Sequence, residues 1–209
     1  QIKNNKIKKS SIFLLIFVIV MTLSAFYLIS GTDLLLPSID EATASYISFN
    51  NSKSTDMLKI NNLKTIILDA KDIPIECNNI DSNADIVNLN INKILEAFNE
   101  YDVVLIPGFQ GIYNNEYYTL GRDGSDYTAI YIGKKLKEEK QIFNCHLYKD
   151  VDGIYINNIK QNILTIDELK NLKIKVLSSK AINELVDLPY DLTIGVSKEK
   201  STKITDFIS

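Results

Sequence analysis

The sequence predicts an α/β protein built on a mainly parallel sheet with helices on its faces, and three observations carry that expectation. Between residues 33 and 196, short apolar or β-branched runs alternate with amphipathic stretches of helical period. One run, DVVLIP at 102–107, is apolar from its second residue and passes directly into the glycine loop GFQG at 108–111. The composition, 45% hydrophobic and 23% charged over 209 residues, provides enough apolar side chain for a core and is unlike that of a disordered chain.

Residues 1–9 carry Lys3, Lys6, Lys8 and Lys9, and residues 10–32 carry no charge. The uncharged run is long enough to cross a bilayer as a helix, with residues 11–30 as the span. The basic flank then predicts the N-terminus inside and the body outside. The run also reads as a buried strand and helix in succession, or as a cleaved signal. The chain thus divides into a basic tail with an apolar helix at 1–32 and a domain at 33–209.

Within the domain, 38–50 reads as a capped helix, 63–68 as a short strand and 91–99 as a helix with Ile91, Ile94, Leu95 and Phe98 on one face. After the strand at 102–107, a helix is expected over 125–137, starting at a cap-like Ser125. A strand at 141–148, a DVDG turn at 150–153, a helix at 166–172, a strand at 174–177 and a helix at 179–186 follow. The strand 191–196 precedes a polar tail.

Composition excludes several kinds of chemistry. A net charge of −3 gives no reason to expect nucleic acid. Cys77 and Cys145 are too few for a disulfide framework and lack metal-ligand spacing, and His146 is the only histidine, so no metal site is expected. The basic residues are all lysine except Arg122, and five of the glycines (Gly108, Gly111, Gly121, Gly124 and Gly133) cluster around it.

Three clusters hold what chemistry remains. PGFQG at 107–111 lets backbone approach a ligand, or is a plain tight turn. TLGRDGSDYTA at 119–129 sets Arg122 beside a helix start, where free N–H groups favour an anion and a guanidinium grips a carboxylate or phosphate; its bland reading is a glycine turn with a cap. KDVDGIY at 149–155, with Lys175 twenty residues beyond Tyr155, offers Asp150 and Asp152 to a metal-nucleotide or ribose, or forms a solvated turn.

Taken in order, PGFQG, TLGRDGSD, DVDGIY and KVL resemble the aspartokinase domain of the amino-acid kinase family, whose pattern reads roughly GFQG, TLGRGGSDTTA, TDVDGIYTxDPR and GAKVLHPRA. The resemblance is specific across 104–155 and weaker on both sides; upstream, DLLLPSIDEATAS at 33–45 is similar to the family's DxLLSxGExxSA. It implies a three-layer sandwich with a mainly parallel sheet, and ATP-dependent phosphoryl transfer, with Mg²⁺, to the side-chain carboxylate of L-aspartate. Arg122 would then hold the α-carboxylate, with Ser125 and Asp40 placing the substrate. Lys149, Asp150, Tyr155 and Lys160 would line the nucleotide site, with Lys175 and Val176 at the phosphates and adenine edge.

The sequence departs from the pattern at several places. No residues match the family's opening KFGG, whose lysine lies on the transferred phosphoryl group, and no ACT domains follow, so a partial, N-terminally truncated domain is expected, with no certain catalytic residue. GRGGSD has become GRDGSD, which puts the Asp123 carboxylate where anions should bind. The threonine before DVDG is Lys149, and the family's histidine and proline are Ser178 and Ser179. The resemblance therefore implies either an impaired kinase or an inactive module binding an amino acid, nucleotide or partner kinase, or a relic of a truncated gene. It implies a cytoplasmic protein, or one anchored through 11–30, and allows an oligomer with itself or a complete kinase.

Overall fold

Val103, Val104, Leu105 and Ile106 are all buried, as a strand covered on both faces requires. The computed structural model describes residues 25–29, 64–139, 144–172, 176–185 and 191–206. In chain order the elements are β1 (Ala25–Ile29), β2 (Thr65–Ile67), β3 (Ile75–Cys77), β4 (Ile86–Leu89), α1 (Asn92–Ala97), β5 (Val103–Pro107), β6 (Gln110–Tyr113), β7 (Glu116–Thr119) and α2 (Gly124–Glu138). They continue with β8 (Asn144–Tyr148), β9 (Ile154–Ile156), β10 (Ile159–Gln161), β11 (Ile163–Thr165), α3 (Ile166–Asn171), α4 (Ser179–Asn183), β12 (Asp191–Gly195) and β13 (Ser201–Thr205).

Helix α2 is the centre of the core. Every residue from 124 to 133 is buried, so apolar neighbours surround the helix instead of lining one stripe. Ile130, Ile132 and Leu136 are essentially inaccessible, and the ring of Tyr127 packs edge-on to Tyr131. The Tyr127 hydroxyl accepts the backbone N–H of Ile86 at 3.1 Å, fixing β4 against the helix. On another side, Lys134 pairs with Glu184 at 2.6 Å, just beyond α4.

The expected mainly parallel sheet is instead mixed and divided. Strands order as β1-β5-β2, β4-β3-β6-β7, β11-β13-β12-β8 and β10-β9. Pairs β2–β5, β3–β6, β8–β12 and β11–β13 are parallel, whereas β1–β5, β3–β4, β6–β7, β9–β10 and β12–β13 are antiparallel. Local turns account for three of the antiparallel pairs. Asn114-Asn115 (φ 48° and 64°) and Asn157-Asn158 (φ 50° and 63°) put both central residues at positive φ, which two-residue hairpins favour and asparagine tolerates. The expected polar tail is strand β13, returned onto β12 by the turn at 196–200.

Residues 25–29 lie inside the run expected as an apolar helix, yet they pair antiparallel with β5 as a strand. An apolar run satisfies either a helix or a buried strand, and here the backbone groups are met by ladder partners. Residues 1–24 and 30–32 lie outside the described residues, as does the expected helix at 38–50. Among the described residues no helix is long and apolar enough to cross a membrane. In the expected strand 174–177, Val176 and Leu177 form a bend leading into α4; 174 and 175 are outside the described residues.

Helix α3 begins with a reciprocal capping box. Thr165 Oγ1 accepts the Glu168 N–H at 3.1 Å, and Glu168 Oε2 accepts the Thr165 N–H at 2.8 Å. Thr165→Ala removes the cap acceptor and is expected to lower the unfolding free energy by about 1 kcal/mol. A urea titration reads this as a lower midpoint with an unchanged slope.

Candidate functional site

The glycine-rich loops flanking β6 and β7 meet at the start of α2. The carbonyl of Phe109 accepts the N–H of Leu120 at 2.9 Å, joining PGFQG to TLGRDGSD. The Phe109 N–H points to Thr128 Oγ1 at 3.3 Å, and that hydroxyl donates to the Gly124 carbonyl at 2.8 Å. Thr128 is therefore the side chain that holds the PGFQG loop to the helix. Gly121, at φ 82°, is where only glycine serves: a Cβ there would lie 2.2 Å from Asn83 Oδ1.

The helix start differs from the expected one. Asp123 is the N-cap, in the left-handed region at φ 57°, and its side chain makes no capping bond. Ser125 is the second residue of the helix, two beyond the cap, and is buried. The Gly124 N–H donates to the Gly121 carbonyl at 3.0 Å, and with no side-chain cap the N–H groups of Ser125 and Asp126 are left for an anion at the positive end of a 15-residue helix. Arg122 stands exposed just before this end, with no ion pair or hydrogen bond among the described residues.

Lys149 ties the third cluster to the same place. Its Nζ lies 2.5 Å from Asp126 Oδ2, with the two side chains 9% and 1% exposed. Burial pushes the Asp126 carboxyl up from the ordinary carboxylate range, Lys149 opposes this, and Asp123 adds to the rise. Asp126 Oδ1 is buried without a hydrogen-bond partner. The Lys149 backbone N–H donates to the Gly195 carbonyl at 3.0 Å, fixing the residue at the end of β8.

Beyond Lys149 the DVDG loop closes on itself. Asp152 accepts from the Tyr155 hydroxyl at 2.9 Å and from Lys160 Nζ at 3.2 Å, and both bonds hold its carboxyl below the usual range. Gly153 packs so closely on β13 that a Cβ would lie 2.8 Å from Thr202 Oγ1. That hydroxyl accepts the Ile154 N–H and donates to the Gln161 carbonyl, so it pins the β9–β10 hairpin to the sheet.

Of the residues singled out from sequence, Arg122, Ser125 and Lys149 come together at the start of α2. Tyr155 and Lys160 are joined through Asp152, while Asp150 is exposed at the mouth of the loop. Val176 lies in the bend before α4, and Asp40 and Lys175 fall outside the described residues. Sequence reasoning missed Thr128 and took Asp126 only as a helix-start or cap residue, although both lie inside the quoted TLGRDGSDYTA. Asp126 reads locally as a first-turn acid favourable to the helix dipole, and only the fold brings Lys149 to it.

Comparison with known proteins places the chain among amino-acid kinases. The aspartokinase of Rickettsia prowazekii is 33% identical over 175 residues, covering 78% of this chain and 36% of that protein. The aspartokinase of Geobacillus stearothermophilus is 31% identical over 140 residues, 61% of this chain and 33% of the relative. The chain thus spans about a third of the length of these relatives. Escherichia coli aspartokinase III, solved with aspartate and ADP, superposes with a TM-score of 0.62 at 20% identity, over 73% of this chain and 37% of that one. The profile that matches residues 33–187 takes in the two loops, the start of α2 and the DVDG turn alike, and by that match the chain belongs to the amino acid kinase family.

Proposed function

We propose that the chain binds ATP and an amino-acid carboxylate at the start of α2 and transfers the γ-phosphoryl group to that carboxylate, with L-aspartate as acceptor. The observation that carries this is the convergence of all three clusters on one helix start: Leu120 N–H to Phe109 carbonyl, Thr128 to Phe109 and Gly124, and Lys149 to Asp126. Phosphoryl transfer asks a protein mainly for positioning and for positive charge around the transferring oxygens. An uncapped helix N-terminus, an exposed arginine and a buried lysine are residues suited to that work. Aspartate is chosen because the relatives are aspartokinases and the superposed enzyme was solved with aspartate and ADP.

Mg²⁺ fits as part of the nucleotide substrate. Among the described residues no three of His, Cys, Asp or Glu gather into a metal site. Mg²⁺ on nucleotides needs only one or two protein carboxylates beside the phosphates, and Asp126, whose buried Oδ1 has no hydrogen-bond partner among the described residues, is the carboxylate at the helix start that would supply one. Bound there, the ion would neutralise phosphate charge.

A second reading is favoured by Asp123. Its carboxylate sits at the N-cap of the helix meant to receive anions, and it already raises the pKa of Asp126. On that reading the chain binds nucleotide or amino acid, or a complete kinase, without transfer. A hydroxylamine trap separates the two. With ATP, Mg²⁺ and aspartate, the full chain is expected to accumulate aspartyl hydroxamate. A blank from protein that still binds ADP calorimetrically would leave the binding module, and failure to bind either ligand would sink both readings.

A further inference from the structure

We propose that Lys149 contacts the phosphoryl group in transfer and supplies positive charge to its oxygens, with Asp126 as the positioning residue. The proposal rests on the phosphoryl-transfer reading above and assigns that role to a position where the family carries threonine.

The ion pair is built as a site and not as a structural tie. Placing an ammonium and a carboxylate at 9% and 1% exposure carries a large desolvation cost, met only when their other donors and acceptors are also satisfied. Here they are not. Asp126 Oδ1 is buried without a partner, and among the described residues Lys149 Nζ donates to Asp126 Oδ2 alone, leaving two of its three N–H groups. A group bringing acceptor oxygens to Lys149 and a cation or donor to Oδ1 completes both, and a metal-bound polyphosphate brings exactly that pair of features.

The surroundings select an anion as well. The ammonium lies against the first turn of α2, where no side chain takes the free N–H groups, and Arg122 is on the loop that leads into that turn. The backbone of Lys149 is fixed by its bond to Gly195, so the side chain extends from a rigid strand end. A lysine retained only for solubility would be exposed; this one is folded inward. In the step itself, an acceptor carboxylate oxygen bonds to the γ-phosphorus as the bond from phosphorus to the β,γ-bridging oxygen breaks. The nucleoside diphosphate leaves with that electron pair, and Lys149 keeps its proton throughout.

The test compares adenylyl imidodiphosphate with ADP, each with Mg²⁺, titrated calorimetrically into the full chain and into Lys149→Thr. The parent is expected to prefer the triphosphate analogue by about tenfold, and the variant to bind both alike. Because Lys149→Thr strands a buried carboxylate, the double variant Lys149→Thr, Asp126→Asn is measured beside it and is expected to lose the same preference with an intact thermal transition. Lys149→Arg is expected to keep part of it. A variant that retains the parent's preference overturns the proposal, as does a parent with none. If the preference is present and lost as expected but the parent yields no hydroxamate, the Lys149 contact stands and the catalytic reading fails.

Discussion

Arg122→Ala is expected to weaken aspartate binding by about 100-fold while leaving the thermal transition and ADP affinity unchanged. The guanidinium is exposed and engages no other group among the described residues, so removing it takes nothing from the folded state. On the proposed reading its worth lies in two parallel charge-assisted hydrogen bonds to a carboxylate, together about 3 kcal/mol. Arg122→Lys keeps the charge and loses the fork, so it should recover only a small part of the affinity. Calorimetric titration of aspartate in the presence of ADP measures both variants. An unchanged dissociation constant in Arg122→Ala would remove Arg122 from the acceptor site.

His146 gives the second large effect, on stability. Its imidazole is 1% exposed, with Nε2 3.1 Å from the Gly195 carbonyl and Nδ1 2.6 Å from Thr193 Oγ1. A carbonyl only accepts, so Nε2 carries the proton and Nδ1 accepts from the threonine hydroxyl. Burial pushes the imidazole down from 6.5 to about 4; Lys198 adds to the fall, while the Gly195 bond and Glu199 oppose it. Between these values the unfolded chain takes up a proton that the folded one refuses. Stability is therefore undiminished by His146 above pH 6.5 and falls as the pH drops towards 4, by roughly 3 kcal/mol in all. His146→Gln removes the titration. The difference between parent and variant, followed by urea unfolding from pH 7 to 4, should carry that slope, whereas carboxylates common to both cancel. Parallel pH profiles would contradict the assignment.

What could be read from sequence depended on how local its cause was. The helix at the site was legible because Gly121, Ser125 and the apolar residues that follow act within a few positions, and α2 runs one residue beyond the expectation at each end. β5 was legible because nothing interrupts its apolar run. The hairpins were missed. Asn114-Asn115 and Asn157-Asn158 are their signals, but in so asparagine-rich a chain neither pair stood out. The mixed sheet escaped for a different reason: β12 lies between β13, its neighbour in sequence, and β8, more than forty residues earlier, and no periodicity reports that choice. At the site, the glycine turn and helix start at 119–126 were readable from residue types, whereas the partnership of Lys149 and Asp126 spans 23 residues and belongs to the fold alone.

The position of β13 has a consequence in time. In the order β11-β13-β12-β8, the strands at 191–205 fill the interior of the sheet whose outer member carries Lys149 at its end. During synthesis β8 emerges long before either of them, and both the Gly195 carbonyl that anchors Lys149 and the ladder that supports β8 are still to come. The helix start and its loops are made of contacts close in sequence and can form early, while the lysine must wait for a non-local pairing that closes slowly. A nascent chain paused before residue 191 would thus hold the first turn of α2 with an unanchored Lys149 beside it, and β12 and β13 would complete the proposed site as well as the sheet.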